Sequence, residues 1–391
     1  MNAVERRAVA TLALVYALRM VGMFMVLPVL ALYARDLPVP ATDWQIGLAI
    51  GLYGLTQALL QIPLGWLSDR IGRRPVVLGG LAVFALGSFI AGQADTVDGL
   101  LLGRAVQGMG AVSAAVSAWI ADATRPSVRT TAMAILGVGM GGAFILALVL
   151  GPLAAAWIGV DGIFHLTGIA AVMAMPLVAL AVPVGEPQRA PAGGLGRSLR
   201  DAELLRLNGG ILILHAVMAA LFVALPLALV DRLGLAAAAH WKLYLPVLLL
   251  SVLPVFPLIR HAERQGQVRR VFLMAVATLT LALSLLAAGL GSLPWLVAGL
   301  LLFFVAFNFL EGALPSLISR RAPPQHKGAA LGVYASSQFI GGFAGGLMGG
   351  VALQFGGLPA VFAGAAALPV LWLVFAVGMA PSAAVDPPPH L

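Results

Sequence analysis

Twelve apolar runs of spanning length, separated by short breaks rich in charge, Pro or Gly, account for most of the chain. They cover residues 8–33, 44–67, 76–94, 97–121, 130–157 and 163–182, then 209–230, 241–259, 271–289, 295–318, 328–351 and 360–379. A helix needs about 20 apolar residues to cross a bilayer. Within lipid it must also satisfy its own backbone N–H and C=O groups. The pattern therefore predicts twelve transmembrane helices in an all-α integral membrane protein. Trp44, Trp66, Trp119, Trp157, Trp241 and Trp295 fall near predicted helix ends, where amphipathic rings favour the membrane interface. The opening Glu5-Arg6-Arg7 followed by an apolar run imitates a secretory signal, but residues 8–33 outlast the roughly 7 to 15 residues of a signal core. An uncleaved first span is expected.

Composition agrees. Of 391 residues, 61% are hydrophobic and 10% charged, against about 25% charged in an ordinary soluble domain. The net charge of +8 raises the question of a nucleic-acid partner, and the placement of the basic residues answers it. Eighteen of the 23 Lys and Arg lie at the termini and in alternate breaks; Arg35, Arg232 and Lys242 lie in the others, and Arg19 and Arg104 within spans. That asymmetry is a topology signal, placing both termini in the cytoplasm of a multi-pass inner-membrane protein. No basic run interleaves with aromatics, so no nucleic acid is expected. Zero cysteines exclude thiolate chemistry, and six scattered histidines without a His-x-x-x-His pair offer no metal site. No cofactor is expected.

The longest polar break, residues 183–208, separates a six-helix bundle over 1–182 from another over 209–380, with a Pro-rich tail at 381–391. FMVLPVLAL from Phe24 reads like FVALPLALV from Phe222, and RTTAMA from Arg129 like KGAALG from Lys327, both at an offset of 198. Asp69-Arg70-Ile71-Gly72 is echoed by Glu263-Arg264-Gln265-Gly266 at 194. An even number of spans separates the copies, so the halves run parallel, the architecture of one large transporter class.

The loop GWLSDRIGRRP, with Gly65, Asp69, Arg70, Gly72, Arg73 and Arg74, resembles the G-x-L-x-D-R-x-G-R-R/K signature of the major facilitator superfamily. LLLGRAVQGMGA, with Arg104, Gln107 and Gly108, is similar to the fourth-helix motif of its proton-coupled drug exporters. LVLGP, ending in Gly151 and Pro152, is similar to part of the fifth-helix antiporter motif, although Ala155 and Ala156 stand where the family has glycines. RMVGMFMVLPVL, GLYGLTQALLQIPLG, FFVAFNFLEGALPSL and GVYASSQFIGG resemble the YajR-like branch. The resemblance implies the two-bundle fold of that superfamily, a monomer, and a small-molecule substrate exchanged for protons. It also implies a conformational gate in which Arg73 reaches Asp122, Asp69 meets the positive end of another helix, and the network locks the outward-facing state and breaks when the halves rock.

Four ionisable residues interrupt the spans: Arg19 in the first, Arg104 in the fourth, His215 in the seventh and Glu311 in the tenth. The resemblance implies that these four helices line the central cavity. An arginine at mid-span costs roughly 2.5 to 3.5 kcal/mol, so its retention needs a reason. Arginine cannot give up its proton; Glu311 can, and His215 is a second candidate because free imidazole titrates near physiological pH. The expected arrangement makes Glu311 the proton site and Arg19 its countercharge. Gln57, Gln61, Asn308 and Gln338 are candidates for substrate contact or for hydrogen bonds between helices. Glycines at helical spacing (Gly47, Gly51, Gly54; Gly341, Gly345, Gly349; Gly137, Gly141) predict close, slidable helix contacts.

The expected function is secondary active transport by alternating access, exporting small hydrophobic or amphipathic compounds in exchange for protons. The alternative is import or uniport of an anionic or polar metabolite, because two arginines against one glutamate leave the cavity positive while His215 is neutral. No ATP-binding loop, nucleophile or metal set accompanies the spans, so no enzyme is expected.

Overall fold

The structure, a computed structural model, describes residues 1–182, 194–323 and 326–378. Residues 183–193 of the central loop and the tail at 381–391 lie outside the described residues. The first half contains α1 (Ala3–Val26), α2 (Leu30–Arg35), α3 (Asp43–Ile71), α4 (Arg73–Gly92), α5 (Val97–Met109), α6 (Ser113–Asp122) and α7 (Pro126–Ala181). A one-turn helix, α8 (Gly194–Ser198), leads to α9 (Ala202–Asp231), α10 (Trp241–Val252), α11 (Val255–Arg264), α12 (Val268–Ala288), α13 (Leu293–Arg321) and α14 (Lys327–Ala376).

Among the described residues, 10 helical stretches are long and apolar enough to cross a membrane. Two of these, α7 with 56 residues and α14 with 50, are far longer than one crossing needs. Each is broken by a glycine with positive φ, Gly159 at 73° and Gly357 at 68°, a conformation that costs glycine little. Contacts with α1 show that α7 doubles back. Glu5 and Arg7 meet Arg125 and Leu180 at its two ends, while Met25 and Gly22 meet Gly151 and Thr167 on either side of Gly159. The arms of α14 double back along α9 in the same way, Gly341 lying on Leu212 and Trp372 on Gly210. Ten stretches thus supply twelve antiparallel arms.

Local sequence explains where the helices start and break. Asn2 and Glu5 close a capping box at the head of α1, at 2.7 and 2.8 Å. Asp201 accepts the N–H groups of Glu203 and Leu204 at 2.9 and 3.1 Å. Helix α9 therefore begins at Ala202, and residues 202–208, read from sequence as loop, are helical. Three predicted spans are each split in two. Pro28 and Pro254 sit at two of the breaks, where a missing N–H interrupts the ladder. At the third, Gly110 lies so close to α4 that an added Cβ would stand 2.5 Å from the Gly80 carbonyl oxygen.

Among the described residues, contacts gather the arginines at one end of each half, here termed the basic face: Arg7 on Leu180, Arg73 on Asp122, Arg74 on Ala179 and Arg125 on Glu5 in the first, and Arg269 on Val377, Arg320 on Glu263 and Arg321 on Asp201 in the second. The halves touch most closely toward the opposite face. Gly47, Gly51 and Gly54 of α3 cross α14 so tightly that a Cβ on Gly47 would lie 2.2 Å from the Gly346 carbonyl oxygen. Arg35 pairs with Asp231 at 3.0 Å across the same seam, and the Trp44 N–H donates to Gln354 at 3.4 Å. Phe144 of the first half, itself packed edge-on against Phe24, also packs on Phe304 and Phe307 of the second. Toward the basic face the seam loosens. Gly137, Gly141 and Gly332 face open space, so the expectation that Gly137 and Gly141 pack against another helix is not met.

Candidate functional site: two polar clusters across a glycine seam

Arg19 projects from α1 into the first half, only 3% exposed. Its Nη2 donates to Tyr53 Oη and to Gln57 Oε1, both at 2.6 Å, and its Nη1 lies 3.5 Å from Ser113 Oγ. The guanidinium also stands 5.1 Å from the centre of the Phe84 ring, a favourable cation–π placement. Gln57 donates in turn to Gln61 at 3.2 Å and to Ser113 at 3.3 Å. Tyr53, Gln57 and Gln61 share one stripe of α3 because they are four residues apart. That spacing is the sequence signal for Tyr53, a residue not among the candidates named from sequence.

Arg104 is also buried, donating to the Ala49 carbonyl oxygen at 3.2 Å and to Gln107 at 2.6 Å, with its guanidinium 5.1 Å from the Tyr53 ring centre. Gln107 continues to Ser88 at 2.9 Å. Gly108 lets α5 approach α3, since a Cβ there would stand 2.2 Å from the Tyr53 carbonyl oxygen; Gly151 does the same for α7 against Met25, at 2.3 Å. Pro152 is buried beside it. Gly108 thus serves close packing of α5 on α3, and Gly151 close packing of α7 on the end of α1.

The second half holds a different cluster. Gln338 Nε2 donates to His215 Nε2 at 2.8 Å and to Glu311 Oε1 at 3.3 Å. His215 Nδ1 lies 3.3 Å from the Ile211 carbonyl oxygen, so the network fits a neutral ring carrying its proton on Nδ1. Glu311 Oε2 is 3.9 Å from His215 Nε2 and is a buried oxygen with no hydrogen bond. Asn308, by contrast, donates to Ser251 at 3.0 Å, tying α13 to α10 away from this cluster.

The expected pairing of Arg19 with Glu311 is therefore not formed. The two belong to opposite halves: Arg19 bonds Tyr53 and Gln57 in its own, and Glu311 bonds Gln338 in the other. What connects the clusters is the seam: the Tyr53 ring packs edge-on against Phe339, 6.5 Å between centres, and Phe339 follows Gln338 in the chain. His215 also packs against Phe307, 5.8 Å between centres, at the edge of the aromatic plug. The sequence carried a visible sign of that plug in its run of phenylalanines from 303 to 309.

At the basic face, Arg73 pairs with Asp122 at 2.9 Å, bonds Ser68 at 2.7 Å and also pairs with Asp69. Gly72, with φ of 97°, makes the turn that sends α4 back beside α3. Arg70 lies over the Trp66 ring at 3.6 Å, Arg74 donates to the Ala179 carbonyl oxygen, and Gly65 passes close to Ala114. The network links Arg73 with Ser68, Asp69 and Asp122, all within the first half.

Comparison with known proteins agrees with this architecture. The chain is 45% identical over 382 residues to the inner membrane transport protein YajR of Escherichia coli, covering 96% of this chain and 84% of that one. It is 28% identical to the multidrug resistance protein MdtH of Aeromonas hydrophila, covering 87% and 86%. The crystal structure of the nucleoside transporter NupG superposes with a TM-score of 0.75 over 97% of this chain and 99% of that one, at 12% identity, a likeness of fold. The family described as Major Facilitator Superfamily matches residues 12–346, and the chain belongs to that family of membrane transporters, which are not enzymes.

Proposed function

We propose that this transporter exports small hydrophobic or amphipathic compounds in exchange for protons by alternating access. The observation that carries the reading is the His215–Gln338–Glu311 cluster beside the seam. Neutral His215 accepts from Gln338, so a proton arriving at Nε2 displaces that hydrogen bond and turns the amide toward Glu311. A proton arriving at Glu311 removes the charge from an oxygen that has no hydrogen-bond donor. Either event changes the polarity of a surface lying against the contact between Tyr53 and Phe339, and so biases the seam.

In this reading Arg19 is a fixed positive charge held across the seam through Tyr53, and Arg104 supports it from behind. The cavity is formed by Arg19, Gln57, Gln61, His215, Glu311 and Gln338. The Arg73–Asp69–Asp122 network holds α3, α4 and α6 together as one rigid unit, and Asp69 exchanges Arg73 for a helix end of the other half when the basic face closes. The basic loops favour a cytoplasmic location for both described ends, the protein working as a monomer in the inner membrane. The multidrug resistance name of one relative supports efflux.

One observation favours the second reading, transport of an anionic or polar metabolite. The described partners of Arg19 and Arg104 are all neutral, and a substrate carboxylate would supply the missing negative charge. A single experiment separates the readings: luminal pH recorded in proteoliposomes while lipophilic drugs and small anionic metabolites are added in turn, with Glu311→Gln in parallel. Substrate-triggered proton flux that vanishes in the variant supports proton coupling. Substrate movement unaffected by a protonophore, with full activity in Glu311→Gln, overturns it.

A further inference from the structure

We infer that the outer surface of the second half carries a binding site for an anionic phospholipid, at the basic-face end of α12 and α14. A cavity of about 700 Å³ opens there, lined by Gln267, Arg269, Arg270, Leu273, Met274 and Leu373 among others, with no carboxylate in its wall. Arg270, Leu273, Met274 and Ala277 lie at positions i, i+3, i+4 and i+7 of α12, one stripe of the helix. The stripe is cationic at its head and apolar below, which is the polarity of a lipid with a phosphate headgroup and acyl chains. Met274 is 50% exposed, so the apolar part faces outward.

The first half shows why these arginines are distinctive. There Arg74 donates to the carbonyl oxygen of Ala179, at the end of α7, and neighbouring Arg73 is neutralised by Asp69 and Asp122. In the second half Arg269 makes the matching bond to the carbonyl oxygen of Val377, just past α14. Its neighbour Arg270 has no carboxylate partner among the described residues. Glu263, the nearest acid in sequence, is committed to Arg320 at 2.7 Å. Arg269 Nε is a buried donor with no acceptor. A phosphate oxygen would satisfy it while pairing with Arg270. Basic recesses between membrane helices at the level of the headgroups are suited to such lipids.

The test is native mass spectrometry of the detergent-purified full chain offered phosphatidylglycerol or phosphatidylcholine with identical acyl chains, alongside melting temperatures with each lipid and with inorganic phosphate. Phosphatidylglycerol should be retained preferentially. Arg270→Gln should weaken that retention about fivefold, the contribution of one basic residue at a membrane surface, and Met274→Asp, which spoils the apolar stripe, should weaken it as well. Arg270 is exposed and unpaired, so its replacement leaves the fold undisturbed. Equal retention of the two lipids, or a preference unchanged in Arg270→Gln, overturns the site. Stabilisation by inorganic phosphate equal to that by phosphatidylglycerol identifies a free-anion site and overturns the lipid assignment.

Discussion

The two halves share a scaffold and differ in their chemistry. Where the first half buries Arg19 and Arg104 among neutral partners, the second places a glutamate, a histidine and an amide at the corresponding depth. One half carries charge that cannot change, and the other carries groups that can. The Tyr53–Phe339 contact joins the two clusters across the seam. In the proposed function, a proton arriving on one side alters what faces a fixed charge on the other, with no direct ion pair between them.

The largest effect expected from breaking this contrast is at Glu311. Glu311→Gln keeps the shape and the contact with Gln338 but removes the titratable group, and proton flux in proteoliposomes should fall to the background of empty vesicles while the protein remains folded. The seam comes next. Because an added Cβ at Gly47 collides with backbone rather than with a flexible side chain, Gly47→Leu should force the opposite face apart. In this cysteine-free chain, a single cysteine at Ser113 should then gain reactivity toward an impermeant thiol reagent added on that side, by tenfold or more if the shift exceeds about 1.4 kcal/mol.

Arg19 offers a subtler break. Arg19 has no carboxylate partner among the described residues, and its neutral partners Tyr53 and Gln57 also bond each other at 3.0 Å, so its removal relieves a desolvated charge and leaves that pair in place. Arg19→Met should therefore melt no lower than the parent protein while losing uptake of any anionic substrate. A fall in melting temperature would mean that Arg19 is a structural fixture. The smallest effect belongs to Arg35→Ala at the opposite face. That pair is more than a third exposed on both sides, and such pairs contribute about 0 to 1 kcal/mol. Its loss should shift the balance of conformations by no more than about fivefold, less in high salt, as read by the same thiol labelling.

Much of the fold was legible in the sequence because lipid imposes a simple rule on length and polarity. The twelve apolar runs, the basic loops and the offset repeat all express that rule. The kinks at Pro28 and Pro254 depend on local backbone, and hydropathy averages across them. At the site, sequence identified the depth of Arg19, His215, Glu311 and Gln338 but not their distances. Opposite charges in different spans suggested a pair, yet Tyr53, Gln57 and Ser113 satisfy the arginine first. Asn308, one turn before Glu311, donates to Ser251 of α10, an interhelical bond whose partner the sequence does not name. Arg35 and Asp231 lie 196 residues apart, at the ends of α2 and α9, and only the folded chain brings them together.

The central claim is the division between fixed and titratable halves, and substrate-free proton binding tests it most directly. The charge displaced when proteoliposomes on a solid support receive a pH step should be present in the parent protein and in Arg19→Met, and absent in Glu311→Gln. A signal that survives in Glu311→Gln and disappears in Arg19→Met would contradict the account, placing the proton's site in the half assigned only fixed charge.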